Sequence, residues 1–124
     1  MSLLLDTHVA LWAIAGDANL DDEFLDRLRS DPDIFLSPVV VWEITIKQVA
    51  GKLGGPPDLA ERVRDMGFWE LPVTHDHAIA AARLPFHHRD PFDRMLVAQA
   101  MIEGLTLVSR DASIALYDVD ILEV

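Results

Sequence analysis

A chain of 124 residues that is 51% hydrophobic and has no cysteine is expected to fold as one domain with an ordered core, and it excludes disulfides, thiolate nucleophiles and cysteine-based zinc sites. Its net charge of −11 excludes simple adsorption onto nucleic acid through phosphate contacts, so any such substrate must be gripped locally, while the acidity suits a cation site or a basic partner. The start MSLLLDTH lacks a basic n-region and no apolar run reaches membrane-spanning length, which predicts a cytoplasmic protein with no membrane partner.

In chain order, SLLLD reads as a short buried strand, and HVALWAIAG as a helix ending at a glycine. DDEFLDRLRS follows as a charged amphipathic helix and IFLS as a strand; Ser37 and Pro38 then supply the N-cap and first turn of the helix PVVVWEITIKQVA. Gly51, Gly54, Gly55, Pro56 and Pro57 break the chain. DLAERVRDM is a further helix, WELPV a strand, and THDHAIAAARL a helix that Pro85 stops. Asp90 caps a helix running from Pro91 to about Glu103, with Gly104 as its C-terminal cap. LTLVS is a strand, DASIALY a short helix and VDILEV a closing strand. Alternation of this kind predicts an α/β fold, a mainly parallel sheet with helices on both faces.

Ligands of such sheets bind outside the carboxyl ends of the strands, where Asp6 and Asp111 fall by sequence. Two further acids sit on helices, Glu43 within VVVWEITI and Asp93 on the stripe of Leu96, Val97 and Ala100. Each has a purely structural explanation. Asp6 suits a turn, Asp111 a helix cap, Glu43 an exposed pair with Lys47, and Asp93 a capping box with Asp90. Taken together they are harder to explain, because like charges about 4 Å apart repel by roughly 4 kcal/mol at an effective dielectric of 20. Protonation or a bound cation must relieve that, and hard divalent cations take carboxylate oxygens. A metal of this kind lowers the pKa of a bound water and neutralises a leaving oxygen, which is phosphodiester chemistry.

The blocks LLLDTHVALW from Leu3, WEITIKQVAGKL from Trp42, HRDPFDRMLVAQA from His88 and TLVSRD from Thr106, in this order, resemble PIN-domain proteins, and within them VapC-type toxin ribonucleases. The resemblance covers nearly the whole chain. It implies a three-layer α/β/α domain over residues 1–124 that binds Mg2+ or Mn2+ and hydrolyses RNA, leaving 5′-phosphate and 3′-hydroxyl ends. By motif, Asp6, Glu43, Asp93 and Asp111 match the family's acidic, metal-binding quartet, and Thr7 and Ser109 match supporting hydroxyls. Asp90 matches no core member; it keeps its capping role, with a secondary part in orienting water or metal. Relatives often read S-x-x-S-x-W-E before the glutamate, whereas this chain has Val40 at the second serine position. By the same resemblance a homodimer and a VapB-like antitoxin are expected, the antitoxin covering the acidic groove with a basic tail.

Lys47, Lys52, Arg89, Arg94 and Arg110, with His87 and His88, are the basic groups nearest in sequence to the acidic blocks and are candidates for gripping RNA phosphates. As a structural alternative, His87, His88 and Arg89 form a solvated loop, and His75 and His77 are caps or surface residues. Two other functions stay open: a nuclease for single-stranded DNA, and a non-catalytic receiver-like module that binds magnesium or a partner.

Overall fold

The three leucines Leu3–Leu5 form the central strand β1 of a five-stranded, all-parallel sheet, in a computed structural model that describes residues 2–124. The strands β2 (Ile34–Leu36), β3 (Trp69–Glu70), β4 (Thr106–Ser109) and β5 (Ile121–Glu123) complete it in the order β3-β2-β1-β4-β5. Leu3 pairs with Ile34 on one side and Thr106 on the other, and Leu5 with Val108. Alternation along β1 fixes the layers. Leu3 and Leu5 join the core formed with Val9, Leu20, Leu25 and Leu28, while Leu4 joins the core formed with Val40, Ile44, Val63, Leu96 and Val97.

Among the described residues six α-helices flank the sheet: α1 (Thr7–Ala15), α2 (Asp22–Ser30), α3 (Pro38–Val49), α4 (Leu59–Arg64), α5 (His75–Arg83) and α6 (Pro91–Glu103). The expected three-layer α/β/α architecture is therefore what forms. Gly16 and Gly104 close α1 and α6 with φ of 60° and 67°, a left-handed backbone that only glycine adopts without strain.

The boundaries differ from expectation in three places. WELPV gives a strand of only two residues, because Pro72 has no N–H to extend the ladder beyond the Leu71 N to Leu36 O bond. The helix expected over DLAERVRDM starts after Asp58 and stops at Arg64, with Gly67 at φ 94° soon after. DASIALY forms a single 3-10 turn, Ile114–Leu116.

The order of strands also places the site. Connections from β1 run outward to β2 and β3, whereas β4 and β5 lie on its other side, so the sheet switches direction between β1 and β4. The carboxyl ends of those two strands lead into Asp6 and Asp111. A receiver-like module would place its strands in the order 2-1-3-4-5, which this sheet does not follow.

Candidate active site

Asp6 ends β1 and caps α1: its backbone is extended and its Oδ1 accepts the Val9 N–H at 2.9 Å. Turn and cap are one role here. Only 5% exposed, the carboxyl is pushed above its ordinary value, first by burial, while Ser109 and the Val9 N–H oppose the rise and the charge of Asp111 adds to it.

Glu43 stands in the second turn of α3, and only 2% of it is exposed. The Thr7 hydroxyl donates to Oε1 at 2.6 Å, and the Lys47 ammonium lies 2.6 Å from Oε2. The expected Glu43–Lys47 pair therefore forms, but as a pair with a buried carboxylate and not an exposed one. Its hydrogen bond, and then the charges of Glu43, Asp90 and Asp93, hold the Lys47 amine above its usual range against the opposing effect of burial. Val40, at the family's second serine position, is fully buried, and the hydroxyl on Glu43 comes from Thr7.

Asp93 lies in the first turn of α6, but it completes no capping box. Asp90 caps the helix by accepting from Phe92 N and Asp93 N, while its own N–H goes to His88 Nδ1 at 3.2 Å. The Asp93 carboxyl is thereby left for other partners. Burial, followed by the charge of Asp90, pushes it up to about 6; His88 opposes this, and Glu43 and Asp6 add to it. Asp111 accepts the Ser113 N–H at 2.8 Å and donates its own N–H to Ser109 Oγ at 3.1 Å; the 3-10 turn that follows has Ser113 at its N-cap with no side-chain bond, so Asp111 shapes the approach to the turn and does not cap it.

His88, read from sequence as a solvated loop residue, lies between two of these acids. Its Nε2 is 2.9 Å from Asp93 Oδ2 and 3.0 Å from Asp111 Oδ2. Since Nδ1 accepts from Asp90 N, Nε2 is the nitrogen left to carry hydrogen toward both carboxylates. Oxygens of Asp93 and Asp111 lie within 4.8 Å of one another beside His88, a span that one cation can bridge through the two carboxylates, with the protonated Nε2 of His88 donating to them and not ligating. The oxygen-rich donor set and the raised Asp6 and Asp93 carboxyls fit a hard divalent ion, whose charge would relieve the repulsion.

The basic candidates divide. Lys47 is at the site; Lys52 and Arg89 are exposed beside the turn after α3 and before Asp90. Arg94 is a correction, because it is buried and donates to the carbonyls of Ala81, Leu84, Pro85 and His88 at 2.9 to 3.2 Å, with Phe86 stacked 4.7 Å over its guanidinium. It caps the end of α5 from inside and anchors the backbone of His88. Arg110 is exposed, stacks over Trp12 at 4.6 Å and donates to Asn19 and the Val124 carbonyl, and it stays a candidate for phosphate contact. His77 is buried and completes a capping box with Thr74, His75 is exposed, and His87 packs edge-on against Tyr117.

Tyr117, which no sequence motif marks, also supports the site. Its hydroxyl donates to Pro85 O at 2.7 Å and accepts from His88 N at 3.0 Å. With the seven residues from Val39 to Thr45 carrying both a core stripe and Glu43, the local folding of α3 delivers one acid inward among apolar neighbours, as the helical spacing requires.

Fold and acids together define a carboxylate-centred α/β/α protein. The sequence profile of the PIN domain matches residues 3–121. The chain belongs to the PIN domain family. Among solved structures it is similar to a chain of VapBC2 from Rickettsia felis bound to a promoter DNA fragment (15% identity, TM-score 0.76, covering 99% of this chain and 98% of that one). It is likewise similar to FitAcB from Neisseria gonorrhoeae (24%, 0.70, 97% and 96%) and to VapBC-5 from Mycobacterium tuberculosis (23%, 0.64, 100% of both). No curated protein matches the sequence. Among the described residues no helix is long and apolar enough to cross a membrane.

Proposed function

We propose that this chain is a VapC-type toxin ribonuclease, a single nuclease domain over residues 1–124 that acts on cytoplasmic RNA with Mg2+ or Mn2+. The observation that carries the reading is the approach of Asp93 and Asp111 to one point beside His88, within the same electrostatic field as Asp6 and Glu43. Asp6, Glu43, Asp93 and Asp111 would hold the cation directly or through water. When bound, such an ion supplies a water of lowered pKa and neutralises charge on the phosphate. Thr7 and Ser109 orient the carboxylates by donating to Glu43 and Asp6, and Asp90 fixes the first turn of α6. Lys47, Lys52, Arg89 and Arg110 are the basic groups offered to RNA phosphates.

Purified chain, free of partner, is expected to cleave RNA with Mg2+ or Mn2+ and to lose that activity in EDTA. Cleavage that persists in EDTA would sink the reading, and cleavage of single-stranded DNA but not RNA would move it to another substrate.

The named relatives are VapBC and FitAB assemblies, which supports an antitoxin partner here, and the net charge of −11 suits a basic tail over the acids. Trp42, Ile46 and Val49, exposed along α3, offer an apolar stripe to a second copy. Sedimentation is expected to give a dimer that Trp42→Glu with Val49→Glu converts to monomer; a monomeric wild type at micromolar concentration removes the homodimer from the proposal.

A further inference from the structure

Four carboxylates at one sheet edge invite two divalent ions, yet the two sides of this site are furnished differently. On one side, Asp93 and Asp111 present oxygens within reach of a shared cation. On the other, both oxygens of buried Glu43 already have partners, the Thr7 hydroxyl on Oε1 and the Lys47 ammonium on Oε2, each at 2.6 Å. Glu43 does not belong to the group whose ligand atoms converge.

Resting on the metal-nuclease reading, we infer that Lys47 fills the second cation position, so that the site takes one divalent ion and completes its charge with the chain's own ammonium. The electrostatics agree. With Asp90 counted beside the four acids, one divalent ion and one ammonium leave the site with two negative charges, whereas two divalent ions beside Lys47 would bring it to neutrality, so the ammonium already supplies part of what a second ion would give. Lys47 is four residues beyond Glu43, the spacing that puts both on one face of α3, so the pair is preorganised by the helix. The side chain is 37% exposed, and an ammonium with one hydrogen directed to Glu43 retains two donors for a phosphate oxygen.

Counting bound Mn2+ on the full-length chain tests this, by electron paramagnetic resonance of the free ion and by native mass spectrometry. Wild type is expected to bind one Mn2+ per chain. Lys47→Met vacates the position and raises the count to two, while Lys47→Arg keeps it at one; thermal melts establish that each variant is folded, with Lys47→Gln as the second neutral variant. Two ions on wild type, or a count that stays at one in both neutral variants, overturns the inference and leaves the metal reading intact. A wild type that binds no Mn2+ overturns both.

Discussion

Asp93→Asn is expected to lower metal-dependent RNA hydrolysis by at least about a hundredfold, the scale on which electrostatic groups aimed at a reacting centre act. Asparagine keeps the shape and removes the charge that brings a cation to α6. Stability should move the other way. Folding raises the Asp93 carboxyl to about 6 from an unfolded value near 3.9, so the folded state holds this proton more tightly than the unfolded chain does. Below about pH 4 both states are protonated and the group is neutral toward folding. Between about pH 4 and 6 the unfolded chain releases its proton first, and metal-free wild type loses stability as pH rises, by an amount of order 2 kcal/mol. The asparagine variant escapes that loss. Urea unfolding in EDTA should therefore show the variant gaining on wild type from pH 4 to 7, and saturating metal should reverse the order. A variant several degrees less stable than wild type at pH 7 without metal would mean that Asp93 serves the helix start and not a cation.

Arg94→Ala carries the largest expected cost in stability, about 3 to 5 kcal/mol, because it strands a buried group of acceptors at once. The carbonyls of Ala81, Leu84, Pro85 and His88 all receive its guanidinium; Pro85 O keeps the Tyr117 hydroxyl as a second donor, so the buried bonds to Ala81 and Leu84 carry the cost. Set against a total of about 5 to 15 kcal/mol for a domain, the loss leaves little margin. Lysine retains the charge but not the planar fork, so Arg94→Lys should fall between, near 2 kcal/mol. Urea midpoints decide it: an alanine variant within about 1 kcal/mol of wild type shows that the carbonyls find other donors.

Patterning made the sheet and most helix ends legible from sequence, down to Asp90, Pro91 and Gly104 around α6. The acids were legible because carboxylates at strand ends and on apolar helix stripes are costly without a reason. Arg94 was misread although a signal was present: Val97 and Ala98, three and four residues on, are both buried, and a guanidinium on that face needs carbonyls, not phosphate. Which carbonyls depended on how the α5–α6 connection packs, and no local spacing encodes that. His88 was lost for a related reason. Its ring is aimed by a bond to Asp90 N two residues away, but its partner Asp111 is 23 residues distant and arrives only through the β4 end of the sheet.

The pairing of β1 with β4 has a consequence for how the molecule comes into being. Leu3 meets Thr106, so the central ladder closes a loop of roughly a hundred residues, at an entropic cost of about 4 kcal/mol before any contact rewards it. Sheets built from such distant pairs form slowly, and a chain emerging from the ribosome in sequence order cannot complete this one until β4 has been made. Asp6 follows β1 directly, and Asp111 lies just beyond β4. The acids at the carboxyl ends of β1 and β4 are therefore gathered only once that distant pairing has formed, so assembly of the site waits on closure of the sheet.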